Sequence, residues 1–323
     1  MNKPKVLVTR KWPAAIEEKL SKLYDVKLNK QDTPLSALEL KAALQNYDAI
    51  LATVTDRFTA EVLSVADRRT KIIANFGVGY DNIDIQAAKQ CNLIVTNTPE
   101  VLTECTADLT MMLLLMSARR AAEGERLIRS RQWHGWSPTH LLGQKVSGKT
   151  LGLIGFGRIA QAVARRAHHG FGMQILFSDP FVPAQDIVEE LQAQRCDTID
   201  ELLTEAHFVS LHCPGGKATR HLINERRLKL MRPTAHLINT ARGDVVDSRA
   251  LIKALQQQWI AGAGLDVYEG EPNIDQDLLA LENVTLLPHL GSATEETRLA
   301  MGNRVLDNVT AFFAGQNPVD RVA

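Results

Sequence analysis

Four cysteines, Cys91, Cys105, Cys196 and Cys213, are scattered through 323 residues, and no two of them form a C-x-x-C pair. That scarcity argues against a zinc site or a redox dithiol, predicts no bound metal and suits a reducing cytoplasm. Net charge is missing as well. Lys+Arg and Asp+Glu both total 37, so no basic field gathers nucleic acid or an anionic membrane. The longest apolar run, LTMMLLLMSA from Leu109 to Ala118, is far too short to span a bilayer. The opening MNKPKVLVTR has no apolar run before a cleavage-like site, which predicts no secretory signal. Internal repeats and low-complexity tracts are absent too. What remains is a soluble globular protein of the cytoplasm, too long for one typical core, so two domains are expected.

The pattern that is present alternates strand with helix. KVLVTR, DVKLN, DAILATV, KIIANFG and LIVTNTP are β-rich runs. PAAIEEKLSKLY and SALELKAALQNY lie among them with apolar residues three and four apart. A second series follows: TLGLIGFG, QILFSDP, FVSLHCP, AHLINTA, AGAGLDV and VTLLPHL. Such alternation predicts right-handed βαβ units and two doubly wound parallel sheets, each covered by helices. Between the series, Thr103 to Arg131 reads as one long buried helix spanning the two domains. QWHGWSPTHLLG after it reads as an irregular loop. The amphipathic TEETRLAMGNRVLDNVTAFFAG is expected to cross back onto the first domain. The expected division is 1–100 with 291–323 as a discontinuous, flavodoxin-like substrate domain, and 101–290 as a Rossmann-type dinucleotide-binding domain.

Chemistry enters with LGLIGFGRIA, which sets Gly155-x-Gly157-x-x-Ala160 between an apolar strand and a helix. The first glycine permits the tight turn, and the second lets backbone N–H groups approach a pyrophosphate at the helix N-terminus. Arg158 and Ile159 follow on the turn as cofactor-binding candidates. The next strand ends in Asp179, spaced as a ribose-binding carboxylate should be. Such an acid accepts both ribose hydroxyls and repels a 2′-phosphate, and no Arg or Lys closely follows to welcome one. An Asp-Pro that merely turns the chain is the competing reading, and spacing alone leaves the two level. Three more stretches place polar residues where strands end: INTARGDVVD with Arg242, GLDVYEGEP with Glu271, and LLPHLGSAT with His289. Each alone has a plain structural explanation.

Together, and in this order, NFGVGYDNID, TPEVLTECTADLT, GFGRIA, NTARGDVVD, AGAGLDVYEGEP and PHLGSAT resemble the D-isomer-specific 2-hydroxyacid dehydrogenases over nearly the whole chain. Within that family the likeness is greatest to glyoxylate/hydroxypyruvate reductases. The resemblance implies that His289 is the general acid, that Glu271 (with Glu269 as its rival) orients it, and that Arg242 binds and polarises the substrate. It implies that backbone N–H groups at Val78 and Gly79 receive the substrate's carboxylate and that Asp266 faces the nicotinamide carboxamide. Thr106, Cys213, Pro214, Thr240 and Gly291 would line the cofactor channel. Cys213 reads as a buried small hydrophobe rather than a reactive thiol. His212 reads as a strand end rather than a catalytic group.

Many of the resembling reductases carry arginine where this chain has Asp179, so the ribose role gains weight and NAD is the expected cofactor. By the same likeness, the QWHGWSP loop makes a homodimer contact, with Trp136 bounding the partner's substrate pocket. The expected activity is NADH-dependent reduction of glyoxylate or hydroxypyruvate. The alternatives are a dehydrogenase for D-lactate or 3-phosphoglycerate and a non-catalytic NADH-sensing corepressor. A basic cluster for a 3-phosphate is not apparent. Nor are an appended regulatory domain or the long disordered tails of partner recruitment.

Overall fold

The computed structural model describes residues 3–323; the first two residues of MNKPKVLVTR, read above for a leader, lie outside that range. The chain forms two units, one from the segment up to Leu102 with Ser292–Ala323, the other Thr103–Gly291. These limits fall one or two residues from the sequence-based ones, and they put Gly291 in the second unit.

In the first unit, β1 (Lys5–Val8), β2 (Asp25–Leu28), β3 (Ala49–Thr53), β4 (Ile72–Phe76) and β5 (Ile94–Thr96) form a parallel sheet of order β2-β1-β3-β4-β5. This is the flavodoxin-like order. β3 and β4 lie inside it and are buried on both faces, as strands sandwiched between helices must be. Helices are started by explicit caps. Ser36 and Glu39 form a reciprocal capping box ahead of Ala37–Asn46. The helix Glu295–Phe313, capped by Thr294, belongs to this unit and packs on β4 and on the helix Ala14–Leu23. Behind it, Asp320 accepts from Arg304 Nε at 2.6 Å and from Asn308 Nδ2 at 2.8 Å, which fixes the C-terminal segment beside β5.

The second unit carries β6 (Thr150–Ile154), β7 (Gln174–Ser178), β8 (Gln194–Arg195), β9 (Phe208–Leu211), β10 (His236–Asn239), β11 (Gly262–Leu265) and β12 (Val284–Leu286). All run parallel in the order β12-β11-β10-β9-β6-β7-β8. That is the six-strand Rossmann arrangement with a seventh strand added at one edge. The two-residue β8 carries no hydrophobic alternation, and for that reason it escapes a sequence reading.

The long helix does not run as one piece, and it lies wholly within the second unit. Thr103–Ala118 buries Met111, Leu113 and Leu114, whereas Ala121–Arg129 buries nothing. Between them Arg120 takes a φ of 53°, which no helix interior tolerates. The returning loop closes the break, with Gln144 N–H donating to the Ala118 carbonyl at 2.7 Å. An all-round apolar segment and an amphipathic charged one therefore belong to different environments, and their boundary is where the chain turns. Gln132–Gly143 is irregular. No helix among the described residues is long and apolar enough to cross a membrane.

Candidate active site

The glycine turn sits at the switch point of the seven-stranded sheet, where β6 is flanked by β7 on one side and β9 on the other. Gly155 has a φ of 88°, and a Cβ there would lie 2.8 Å from the His212 carbonyl carbon. Any other residue would separate the turn after β6 from the end of β9. Gly157 faces open space, and Arg158–Arg165 starts immediately after it, so a helix N-terminus fronts the turn where a pyrophosphate would lie. Gln161 Nε2 donates back to the Phe156 carbonyl at 2.9 Å and holds the turn. Ile159 packs its side chain against the core below, and Arg158 is exposed on the turn. These features fit a dinucleotide.

Asp179, directly after β7, does two things at once. Its Oδ2 accepts the Phe156 N–H of the glycine turn at 2.6 Å, and its Oδ1 accepts the Phe181 N–H at 2.8 Å. The second contact is the turn that spacing alone could not separate from a ribose site, so the two readings are not exclusive. No Arg or Lys closely follows Asp179 in the sequence, but the fold brings one near: Arg195 reaches over from β8 and donates to the Asp179 carbonyl at 2.9 Å. It is sixteen positions downstream, and only strand pairing brings it close.

Arg242, Glu271 and His289 follow β10, β11 and β12, on the same edge of one sheet. His289 Nδ1 meets Glu271 Oε2 at 2.9 Å. Glu269, the rival acid, faces the other way and binds Arg220 and His221. Burial pulls the Glu271 carboxyl upward, but the hydrogen bond and charge of His289, the Tyr268 N–H and the Arg242 charge outweigh it and hold the group below its ordinary range. His289 itself has a φ of 56°. Asp266 sustains that conformation: its carbonyl accepts the His289 N–H at 3.0 Å, and its carboxylate accepts Leu290 N–H at 2.6 Å and Gly291 N–H at 2.8 Å. Burial raises the Asp266 carboxyl, and those two N–H groups oppose the rise.

Several cofactor-channel candidates form one network. Thr106 Oγ1 donates to the Gly291 carbonyl at 2.9 Å, and Thr110, whose hydroxyl donates to Thr106, lies 2.8 Å from the Thr240 hydroxyl. The Pro214 carbonyl accepts from Thr219. Burial pushes the Cys213 thiol up to about 11, so it is a neutral, unreactive group. Desolvation drops His212 to about 3, a neutral imidazole beside the Ser210 hydroxyl. Val78 and Gly79 lie in the first unit just beyond β4, and Trp136 is 82% exposed on the irregular loop.

Three supporting residues lie inside the quoted motifs, but their roles show only in the fold. Asn239 accepts the Ala241 N–H at 3.0 Å and donates to the Arg242 carbonyl at 2.9 Å, folding the loop that presents the arginine. Tyr268 anchors the Glu271 loop, its hydroxyl donating to the Leu265 and Leu287 carbonyls while its N–H holds Glu271 Oε1 at 2.8 Å. Gly243 lets those two loops touch, because a Cβ there would lie 1.9 Å from the Tyr268 carbonyl carbon.

Comparison with known proteins bears on all of this. Residues 111–291 match the family described as D-isomer specific 2-hydroxyacid dehydrogenase, NAD binding domain. The chain is similar to the glyoxylate reductase of Thermococcus onnurineus, 47% identical over 98% of this chain and 95% of that protein. It is likewise similar to the glyoxylate reductase of Pyrococcus furiosus, 45% identical over 98% and 94%. Among solved structures it resembles the NADPH-dependent glyoxylate/hydroxypyruvate reductase of Sinorhizobium meliloti in complex with NADP and malonate. There the TM-score is 0.88 at 34% identity, covering 100% of this chain and 97% of that one. A glyoxylate reductase from Paecilomyes thermophila gives a TM-score of 0.87 at 32% identity, covering 100% and 99%.

Proposed function

We infer that this chain, which belongs to the D-isomer specific 2-hydroxyacid dehydrogenases and is therefore a nicotinamide-dependent oxidoreductase, reduces glyoxylate or hydroxypyruvate to the D-2-hydroxy acid with NADH. The observation that carries the reading is the His289–Glu271 pair at 2.9 Å, on the same sheet edge as a glycine turn fitted to a dinucleotide. When bound, the reduced nicotinamide supplies a hydride to the carbonyl carbon. His289 Nε2 gives a proton to the carbonyl oxygen, while Glu271 at Nδ1 fixes the orientation of the ring. Arg242 grips the carboxylate and draws electron density from the carbonyl, a task for a planar, permanently charged fork. Backbone N–H groups at Val78 and Gly79 would receive the same carboxylate. Asp266 would face the carboxamide while it holds the His289 loop, and Thr106, Thr240, Cys213, Pro214 and Gly291 would line the cofactor's path.

Asp179 supports NADH, since its carboxylate beside the ribose site opposes a 2′-phosphate. Arg195 makes that preference reversible. Nicotinamide absorbance followed with glyoxylate, hydroxypyruvate and pyruvate, each with NADH and NADPH, tests both points. Wild-type protein is expected to oxidise NADH fastest with one of the first two acids. Asp179→Asn is expected to shift the NADPH:NADH ratio of kcat/KM by about a hundredfold toward NADPH, since removing a like-charge clash is worth several kcal/mol. Arg195→Ala in that background should reverse part of the gain. A wild-type preference for NADPH would overturn the cofactor assignment and leave the chemistry standing.

The protein is further proposed to be a cytoplasmic homodimer, with Trp136 bounding the partner's substrate pocket. Trp136, Trp133, Ile128 and Leu142 are all exposed within one stretch of the second unit, and the helix Ala121–Arg129 buries nothing. A concentration of large apolar groups of this kind marks an interaction surface. The four cysteines are unpaired, as a reducing compartment requires. Light scattering is expected to return twice the chain mass, and a fully active monomer would refute the assembly.

A further inference from the structure

Three consecutive peptide groups after β4 have their carbonyls tied down by hydrogen bonds. The Gly77 carbonyl accepts the Thr98 N–H at 3.0 Å. Asn97 Nδ2 donates to the Val78 carbonyl at 2.8 Å, and Asn75 Nδ2 donates to the Gly79 carbonyl at 2.8 Å. In a trans peptide the C=O and the following N–H point in opposite directions. Pinning carbonyls 77, 78 and 79 therefore directs the N–H groups of Val78, Gly79 and Tyr80 the other way. None of these three N–H groups donates to an acceptor among the described residues. Val78 and Gly79 are half-buried and Tyr80 is exposed, whereas Asn75 is fully buried and Asn97 nearly so. Nor is Asn75 loose. Its Oδ1 accepts Asn82 Nδ2 at 3.3 Å, and Asn82 also donates to the Thr53 and Asp56 carbonyls at 3.1 Å. Buried amides committed to the carbonyls of one short loop are a costly way to hold a turn, unless its outer face must present donors.

We propose that Asn75 and Asn97 are positioning residues that hold Val78, Gly79 and Tyr80 as a three-donor cradle for the substrate's carboxylate. The proposal rests on the 2-oxo acid reading above. It extends the carboxylate site to a third N–H and assigns its alignment to two side chains that touch no substrate. Neither amide takes part in proton or hydride transfer, so removing one loosens carboxylate binding and spares the steps at the carbonyl.

Asn97→Ala and Asn75→Ala separate the two effects, the first being the milder change because Asn97 lies nearer the surface. The readouts are KM for glyoxylate, inhibition by malonate, kcat, and NADH affinity by fluorescence. In either variant KM for glyoxylate and the inhibition constant for malonate are expected to rise about tenfold, the worth of a misaligned charge-assisted hydrogen bond. NADH affinity and kcat should stay near wild type. A KM that does not move, or a decline of kcat and NADH affinity in step with KM, overturns the cradle. Wild-type protein that reduces no 2-oxo acid overturns the reading beneath it instead.

Discussion

His289→Asn is expected to lower kcat about a thousandfold, within the range a positioned general acid supplies, while leaving NADH affinity near wild type. Asparagine is the informative replacement because the site needs a residue in the left-handed region, φ 56°, and asparagine enters it more readily than most. The Asp266 clamp on the backbone of His289, Leu290 and Gly291 can then survive the change. What is lost is the titrating ring. The companion variant, Glu271→Gln, replaces the carboxylate that His289 Nδ1 meets at 2.9 Å with an amide of the same shape. It is expected to lower kcat about tenfold to a hundredfold, because the ring loses the partner that fixes its tautomer, while NADH affinity stays near wild type. Steady-state kinetics of the two variants check this. A His289→Asn enzyme within tenfold of wild type would show that the proton comes from elsewhere, and a Glu271→Gln enzyme equal to wild type would show that the acid does not orient the ring.

How much of this could be read beforehand depends on whether the information is local. β3, β4, β6 and β9 are predominantly apolar runs bounded by turn residues, and such strands announce themselves. β8 has two residues and no alternation, so it exists only through its pairing with β7. The break at Arg120 was hidden for a different reason: Arg119 and Arg120 are good helix formers, and the break arises because the returning loop closes on Ala118. At the site, the glycine turn, Asp179, Arg242, Glu271 and His289 sit in short motifs. Arg195 and Asn97 lie outside them, and Tyr268, though inside one, gives no sign there of what it holds. Each acts through a backbone group that only the folded chain brings near, and a side chain donating to a distant carbonyl leaves no spacing to read.

Arg242→Ala is expected to cost about a thousandfold in kcat/KM, the scale for truncating one partner of a hydrogen-bonded charge pair. Most of the loss should fall on KM, and the smaller part in kcat measures how far the guanidinium polarises the carbonyl. The loop that presents the arginine is built to survive its removal. Asn239 closes the turn through backbone groups alone, at 2.9 and 3.0 Å, and Gly243 keeps its van der Waals seat on the Tyr268–Glu269 peptide. Free guanidinium added to Arg242→Ala should therefore find a formed vacancy and restore part of the rate. Arg242→Lys is the sharper test of chemistry. Lysine retains the charge but replaces a planar fork with a point charge on a flexible stem, which cannot bridge a carboxylate and a carbonyl together. It should recover little of the loss. A lysine enzyme close to wild type would mean that charge alone suffices there, and that the orientation of the 2-oxo acid is set by the backbone donors at Val78 and Gly79.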